Sequence, residues 1–364
     1  MRKRSNYRWL AATGITCVLV TACASPARPA GPEKEPRKTI SCYFGTSQPW
    51  FTKQQAEDGS FADDDGKPDI ATTCLVALSL LGDGSTMRAG PDKVIIKKAV
   101  GWLRKIQRAD GTFATGVGSA STEPNSTRQH ALATYTLVEA AGLSKYRLLW
   151  NYTTPAVNAL LARRDQDGGW RSDPSQPHGD AQTTALAALA CMSARFFDHA
   201  VPEQPSNRDL MRWFDEHPAA TGVHAAAELS CRHVAGQASG QLASAQLATA
   251  QPAIAQPATA QPATAQPATA QLAIERLADL VLAEATIGDP IKCLWASNAL
   301  YVAGGKHWQT WQAKLKPLTS ITEMEADSDH FGSVEPAGGQ GRTSTTALRF
   351  LTMQSYYRYS RLIR

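Results

Sequence analysis

The sequence has no concentrated basic segment of the kind that marks a nucleic-acid-binding surface. It carries a formal net charge of +5 over 364 residues, and its Lys and Arg residues are scattered. The densest early group is Arg2, Lys3 and Arg4. A nucleic-acid-binding domain needs basic side chains gathered on one face. We therefore expect no nucleic-acid partner.

Cysteine is also scarce, with seven residues in the chain. Two of them, Cys17 and Cys23, fall in the N-terminal segment, and the odd number that remains cannot all pair internally. Most of the others lie in apolar, helix-like segments, where a free thiol packs as a small apolar side chain. We expect buried thiols and no disulfide framework. The thiols in question are Cys74, Cys191, Cys231 and Cys293, and the remaining cysteine is Cys42.

The N-terminal apolar run is too short to persist as a membrane-spanning helix, which needs about 20 residues. It extends from Trp9 to Val20, follows a basic start, and has the layout of a secretory signal peptide. The string Val20-Thr21-Ala22-Cys23 resembles a bacterial lipobox, in which the cysteine becomes the lipidated first residue of the mature protein. An ordinary cleaved signal with an unmodified Cys23 is the alternative.

We expect a lipoprotein signal peptide over 1–22 and a flexible, proline-containing tether over 23–45. The chain is then an exported bacterial lipoprotein of the periplasm or cell envelope. Its membrane partner is engaged through a lipid anchor at Cys23.

What the sequence contains instead is a repeated turn followed by an apolar helix. The segment from Arg164 to Ala190 shows the order of parts: a glycine-rich turn that closes on Trp170, a polar connection, and an Ala- and Leu-rich helix from near Asp180. Related turns occur at 57–61, 109–113 and 330–334. The first three turns recur at intervals of about 50 to 60 residues, which indicates an array of repeats.

Each interval has room for two helices of ordinary length. One helix is apolar almost all round, as at 70–81, and the other has a single apolar stripe, as at 94–106. This contrast predicts an inner helix buried on every side and an outer, half-solvated helix. The predicted inner helices are 70–81, 127–141, 180–194, 223–234, 290–302 and 342–359. The predicted outer helices are 94–106, 152–162, 208–214, 273–285 and 307–315.

A pentapeptide run interrupts the fourth helix pair at 241–274, with copies such as QLATA and QPATA. Proline every fifth residue prevents a stable helix in its centre. We expect a low-complexity insertion over 237–272 that loops out of a domain spanning 46–364. Six inner helices that alternate with outer ones predict an all-α, (α/α)6 toroid, and an open solenoid would use the same hairpins.

The spacing Gln55-x3-Gly59-x-Phe61 resembles the QW motif of the prenyltransferase and squalene-oxidase repeat family, which includes squalene–hopene cyclases. It recurs from Gln107 and, in variant form, from Arg164. The segments AGGKHWQTW at 303–311 and TALRFLTMQSYYRY at 346–359 resemble a bacterial exported group of such proteins. The resemblance covers about 46–364 apart from the insertion. It implies the toroid fold, but the family contains cyclases, prenyltransferase subunits and members without an assigned activity.

The sequence contains only part of the catalytic motifs that a cyclase or a prenyltransferase of this family would need. Triterpene cyclases use an aspartic acid in a DxDD motif, and the nearest string, Asp63-Asp64-Asp65-Gly66, lacks the last position. Prenyltransferases hold zinc with Asp, Cys and His, for which Asp289 and Cys293 are weak candidates. Asp289 is more simply a helix N-cap, and Cys293 is more simply a core thiol. The Cys-Gly-Glu-Gln string of complement-type toroids is absent.

Toroid glycosidases and polysaccharide lyases need paired carboxylates, or a Tyr and a His, beside the sugar. Asp69 and Asp180 precede inner helices, and His130 and His224 lie near the starts of two others. An aspartate at a helix start also caps free N–H groups, an effect of about 0.5 to 2 kcal/mol. With Asp289, these residues are the weak catalytic candidates of the chain.

No complete catalytic set emerges from these residues, and we expect no cofactor. The sequence favours a membrane-tethered binding or scaffold module whose partner is a protein or a small hydrophobic or saccharide ligand. An enzyme that acts on an isoprenoid or a polysaccharide is the alternative. Convergence of three of the five catalytic candidates on one pocket would favour the enzyme. Because the loop around Gly168 and Trp170 has several copies, we interpret it as a fastening between hairpins.

Overall fold

The computed structural model describes residues 47–62, 66–114, 126–173, 175–198, 205–249, 265–319 and 329–356. These residues lie in one compact unit, Ser41–Arg364. The predicted signal peptide, Cys23, the tether, Cys42, Asp63 to Asp65 and residues 250–264 of the insertion lie outside the described residues. In the part of the chain that the structure describes, no helix combines the length and apolarity that a membrane span requires.

The described residues form twelve α-helices, two short 3₁₀ segments at Arg147–Leu149 and Lys316–Thr319, and a small antiparallel pair of strands. The strands are β1 (Phe61–Ala62) and β2 (Pro68–Asp69). The helices are α1 (Ser47–Gln54), α2 (Ile70–Gly82), α3 (Lys93–Ile106), α4 (Thr127–Leu143), α5 (Trp150–Ala162), α6 (Ala181–Phe196), α7 (Asn207–Glu216), α8 (Gly222–Thr249), α9 (Ala265–Glu284), α10 (Pro290–Ala303), α11 (Gly305–Leu315) and α12 (Arg342–Tyr356).

The even-numbered helices form a closed inner ring. Each of them packs against the next, and α12 packs against α2. Polar contacts join these two helices near both ends: Thr72 Oγ1 lies 2.8 Å from Ser344 Oγ, and Gln354 Nε2 donates to the Ser79 carbonyl at 2.6 Å. The predicted all-α toroid is confirmed, and the contact between first and last inner helices distinguishes it from an open solenoid.

The odd-numbered helices form the outer ring, and five of them pack on the inner helix that precedes them. The exception is α1, which packs against α12 at the other end of the chain. The sequence pattern predicts no helix at 47–54 and no outer partner for the sixth inner helix. Helix α1 fills that place, and it buries Trp50 and Phe51.

The pentapeptide run is partly helical. Helix α8 continues through the proline-free copies to Thr249, and α9 begins at Ala265 with Pro267 in its first turn. Proline is tolerated there because the first helical N–H groups have no intrahelical acceptor. Helix therefore extends into both ends of the segment 237–272.

The apolar core fills the space between the two rings, with Trp102, Trp170, Trp308 and Trp311 fully buried. The four cysteines of the described inner helices are free and buried, as predicted. Burial raises the pKa of Cys74 and Cys191 to about 12 and that of Cys293 to about 11. These thiols are therefore protonated packing groups at neutral pH.

Candidate functional site

The turns that carry the QW-like spacing share one set of contacts. In the first turn, Gln55 Nε2 donates to the Gly59 carbonyl at 3.1 Å and to the Ile95 carbonyl in α3 at 3.0 Å. In the second, Gln107 Nε2 donates to Gly111 O at 3.2 Å and to Tyr152 O in α5 at 2.9 Å. Each glutamine therefore closes its own turn and ties one outer helix to the next.

The third turn uses an arginine for the same purpose. Arg164 Nε donates to Gly168 O at 2.8 Å, and its Nη2 donates to the Asp209 carbonyl in α7 at 2.6 Å. The guanidinium also lies over the Trp170 ring, 5.3 Å from its centroid. These contacts support the structural interpretation of the loop around Gly168 and Trp170.

In three of the four turns, a backbone N–H of the turn donates to a threonine hydroxyl of the following inner helix. Phe61 N donates to Thr73 Oγ1 at 2.9 Å, and Trp170 N donates to Thr184 Oγ1 at 3.0 Å. Val334 N and Thr346 Oγ1 make the same contact at 3.1 Å. In the second unit, His130 occupies the position of these threonines.

His130 is fully buried between α4 and α5. Its Nε2 lies 3.1 Å from the Ala156 carbonyl, its ring packs against Phe113 at 5.2 Å, and its Nδ1 has no hydrogen-bond partner. Burial, helped by the charge of Arg163, lowers the pKa of His130 to about 3. The imidazole is therefore neutral at physiological pH and donates through Nε2.

His224 lies at the start of α8, half-buried against the aromatic end of α7. The His224 ring stacks on Trp213 with the ring centroids 5.4 Å apart. Trp213 also stacks on His217, with a centroid distance of 4.6 Å. Burial and the charge of His217 lower the pKa of His224. The ring is a packing element of the α7–α8 junction.

The three aspartate candidates cap the helices that they precede. Asp69 Oδ2 accepts from Thr72 N at 2.6 Å, and Asp289 Oδ1 accepts from Ile291 N at 3.0 Å. Asp180 Oδ1 accepts from Thr183 N at 2.9 Å. Carboxylates used in this way satisfy orphan N–H groups at the helix start.

Asp180 also pairs with a side chain of the neighbouring inner helix, Arg128 of α4, whose Nη2 lies 3.0 Å from Asp180 Oδ1. Burial alone would raise the pKa of Asp180, but the hydrogen bond from Thr183 N–H and the charge of Arg128 outweigh it, and the pKa is lowered. Asp180 is thus held as a carboxylate.

The two candidate zinc ligands, Asp289 and Cys293, do not form a metal site with other described residues. Asp289 uses Oδ1 for the helix cap and its Oδ2 lies 3.9 Å from Lys292 Nζ, while Cys293 is buried and receives a contact from Arg349 Nη1 at 3.8 Å. In the part of the chain that the structure describes, no group of three or more His, Cys, Asp and Glu side chains is arranged to hold an ion.

A cavity of about 240 Å³ lies at the centre of the inner ring, with lining residues from all six inner helices. Most of its wall is aliphatic. The aliphatic and alanine side chains are Ala71, Leu75, Leu78, Leu132, Leu186, Leu189, Val234, Ile291, Leu294, Val302, Leu348 and Leu351. The polar and aromatic side chains are Arg128, Gln129, Tyr135, Gln182, Ser230, His233, Trp295, Asn298 and Gln340.

The polar lining separates into two groups by its place along the inner helices. One group, Arg128, Gln129 and Gln182, comes from the first turns of α4 and α6, with Gln340 just before α12. The other group, which includes Tyr135, His233 and Asn298, lies two or more turns further along α4, α8 and α10. The cavity therefore offers amide and guanidinium groups at the helix starts, and a mainly aliphatic wall with a few polar side chains further along.

None of the five catalytic candidates lines this cavity, so three of them do not converge there. None of the polar and aromatic lining residues, such as Gln182, His233 and Asn298, was a candidate in the sequence analysis. The inner helices are apolar on nearly every side, so their periodicity does not indicate which face meets the cavity. For these cavity residues, the available sequence signal was that they lie in predicted inner helices.

Comparison with known proteins identifies the architecture. Residues 44–224 match the model of the family described as prenyltransferase alpha-alpha toroid domain, and no curated protein matches the sequence. Cellobiose 2-epimerase from Bacillus thermoamylovorans superposes with a TM-score of 0.56 at 10% identity, over 84% of this chain and 96% of that chain. A structure described as a novel alpha-amylase from Clostridium perfringens gives 0.51 at 10% identity, over 88% and 99%. At such identities these two likenesses show the fold alone.

Proposed function

Since residues 44–224 match the prenyltransferase alpha-alpha toroid domain, we propose that the central cavity of this chain binds a small, largely apolar ligand. In this proposal the protein is a binding module tethered to a membrane. The observation that supports it is the cavity of about 240 Å³, surrounded by six inner helices and lined mainly by aliphatic side chains.

The size and the lining of the cavity both favour an apolar occupant. An engineered apolar protein cavity of ~150 Å³ binds benzene, so a cavity of this size has room for more than one aromatic ring. Apolar surface that is removed from water on binding stabilises the complex by roughly 25 cal/mol per Å². Leu132, Leu186 and Leu294 supply such surfaces from three different helices.

The polar groups at the helix starts favour a ligand with one polar end. Gln129 and Gln182 supply amide donors and acceptors there, and Arg128 supplies a guanidinium that Asp180 holds in place. A few placed polar groups in an apolar pocket fix the orientation of a ligand. A prenyl alcohol combines a branched apolar chain with one hydroxyl, and we choose it as the ligand class.

A saccharide is the second candidate, favoured by the rings of Trp295 and Tyr135 and by the amide groups of the same cavity. The similarity to cellobiose 2-epimerase and to an alpha-amylase makes this candidate worth testing. Hydrolysis of a glycosidic bond commonly uses paired carboxylates, and the described lining has no Asp or Glu. Binding is therefore the activity that the cavity supports best.

Displacement of an apolar fluorescent dye by farnesol, with cellobiose as the competing probe, tests the proposal. Farnesol should displace the dye from the wild-type protein, while cellobiose should have no effect. Leu186→Trp fills the cavity and should weaken farnesol binding at least about tenfold. Leu272→Trp is the matched control because Leu272 is 64% exposed on α9, and it should bind as the wild type does.

Two results would contradict the apolar ligand. Binding of cellobiose without farnesol would favour the saccharide, and equal farnesol binding by Leu186→Trp and the wild type would place the ligand outside the cavity. Thermal denaturation of both variants checks that each is folded.

The membrane tether is a separate part of the proposal and is supported by sequence. The string Val20-Thr21-Ala22-Cys23 has the lipobox layout, and proline-containing residues follow it up to about residue 45. Growth with a radioactive fatty acid should label the wild-type protein and a Cys42→Ala control, but not Cys23→Ala. Equal labelling of all three proteins would refute the anchor.

A further inference from the structure

The loops that follow α2 and α4 form one continuous surface at the ends of two neighbouring inner helices. Met87 N donates to Ser144 Oγ at 3.0 Å, which joins the loop after α2 to the end of α4. We refer to the exposed and ring-bearing residues of this surface as the basic-aromatic patch. It consists of Arg88, Lys145, Tyr146, Arg147, Leu148 and Trp150.

Leu148 is the apolar centre of the basic-aromatic patch. It is 65% exposed, whereas the adjacent Leu149 is fully buried in the core. A single exposed leucine needs no explanation by itself. Here, however, Leu148 stands in the sequence between Tyr146 and Trp150, the rings of two arginine–aromatic pairs.

Both pairs hold a guanidinium over a ring. Arg88 Cζ lies 5.6 Å from the centroid of Tyr146, and Arg147 Cζ lies 5.6 Å from the centroid of Trp150. Both rings are partly exposed. Tyr and Trp rings with one apolar side and one polar tip are enriched where protein meets the lipid–water boundary.

The charge of the surface is positive. The segment 143–151 contains Lys145 and Arg147 and no acidic residue, and both are exposed. The loop after α2 adds Arg88. Of its two acidic residues, Asp92 is buried and accepts from Ser85 Oγ at 2.8 Å, so Asp83 alone is exposed. Basic residues near an anionic lipid surface each strengthen binding by roughly fivefold.

Lys145 adopts a backbone conformation that disfavours a side chain. Its φ is +50°, and its N–H bonds to the Gly142 carbonyl at 3.0 Å. This is the position after a helix where glycine is usual, and the corresponding turn after α2 uses Gly84 with φ +105°. A lysine held there in spite of the strain is an outlier that suggests a function for its charge.

We propose that the basic-aromatic patch docks onto an anionic lipid surface, with Leu148 inserted among the lipid headgroups and Arg88, Lys145 and Arg147 against their phosphates. This contact goes beyond the lipid anchor. An anchor at Cys23 fixes the protein to any bilayer, whereas the patch sets which face of the toroid meets the bilayer and gives a preference for anionic lipid.

Binding of the full chain to phosphatidylcholine vesicles with and without phosphatidylglycerol tests the proposal. The wild type should prefer the anionic vesicles, and this preference should weaken with salt because the charges are exposed. Lys145→Gly should reduce binding to anionic vesicles about fivefold while it relieves the backbone strain. The triple variant with Arg88→Gln and Arg147→Gln added should reduce it about 100-fold.

Asp198→Gly is the matched control for Lys145→Gly. Asp198 is the other described non-glycine residue with a positive φ, +54°, and its replacement relieves the same kind of strain without removal of a basic charge. It should leave the preference for anionic lipid at or above the wild-type value. Denaturant unfolding should show that both glycine variants are at least as stable as the wild type.

Leu148→Ser should weaken binding to anionic vesicles several-fold without a change in its dependence on salt. Equal binding of Lys145→Gly and wild type, or equal wild-type binding to both vesicle types, would overturn the proposal. Capture of a protein partner in place of lipid would overturn it as well. Loss of the lipid anchor is distinguishable, since Cys23→Ala reduces binding to both vesicle types by the same factor.

Discussion

Replacement of Gly111 by alanine, compared with the same replacement of Gly168, separates two costs of a side chain in the QW-like turns. Both glycines have a left-handed backbone, with φ of +85° and +87°. A non-glycine residue in that region costs roughly 1–2 kcal/mol. This conformational part is therefore equal in the two variants.

The surroundings of the added methyl group differ between the two turns. At Gly111 an added Cβ would lie 2.2 Å from the Pro155 carbonyl oxygen in α5. At Gly168 the nearest atom belongs to the flexible Arg164 side chain, 3.1 Å away. Helix α5 must move to accept Gly111→Ala, and that movement also strains the hydrogen bond from Gln107 to Tyr152 O. Overpacking of this kind costs roughly 1–3 kcal/mol.

We therefore expect Gly111→Ala to lower the free energy of unfolding by about 2–5 kcal/mol and Gly168→Ala by about 1–2 kcal/mol. Urea denaturation followed by circular dichroism measures both values, provided that the m-value is unchanged. Equal destabilisation by the two variants would refute the close contact between the second turn and α5. A larger effect at Gly168 would refute the reasoning altogether.

Three further predictions follow from buried groups. The folded-state pKa of His130, about 3, lies below its ordinary value, so the unfolded chain takes up a proton that the folded chain rejects; stability should fall as pH decreases from about 6.5 towards 3, by at most about 1.4 kcal/mol per pH unit. His130→Thr should remove this slope, and parallel stability–pH curves for the two proteins would contradict the assignment. Gln354→Ala should destabilise the fold by about 0.5–1.5 kcal/mol, because it removes a buried hydrogen bond to the Ser79 carbonyl, which keeps the Asp83 N–H as its other donor. Gln309→Ala on the exposed face of α11 should have little effect in the same denaturation assay, and equal effects would refute a role at the α2–α12 contact. Alkylation with iodoacetamide and peptide mass spectrometry should show no modification of the buried thiols until denaturant unfolds the protein, and modification of the native state at neutral pH would show that they are accessible. These thiols belong to Cys74, Cys191, Cys231 and Cys293.

The helices of the described repeats were largely predictable because local sequence signals mark where they begin and end. An aspartate precedes α2, α6 and α10, and each one caps its helix as the sequence suggests. Helix α1 was missed because its eight residues carry a weak apolar pattern. Closure of the ring depends on pairs such as Thr72 with Ser344, which lie at opposite ends of the sequence, and no local pattern encodes such a contact.

The candidate site was less predictable than the fold. Asp69, Asp180 and Asp289 stand at the starts of inner helices as predicted, but each uses a carboxylate oxygen to accept an N–H from the first turn of the helix that it precedes. His130 stands where the other units have a threonine, and its ring faces the outer helix α5. Cavity residues such as His233 lie in helices that are apolar on all sides, so the orientation of each helix had to come from tertiary packing.

Closure of the ring changes how the protein comes apart. In a linear array the terminal repeats have one neighbour and can fray while the rest stays folded. Here every inner helix has two inner-helix neighbours, and α1 packs against α12. The first hairpin to detach must therefore break contacts on both of its sides. Partial unfolding from a terminus is suppressed, and the described repeats should unfold as one cooperative unit in which amide exchange at α2 and α12 is as slow as at α6.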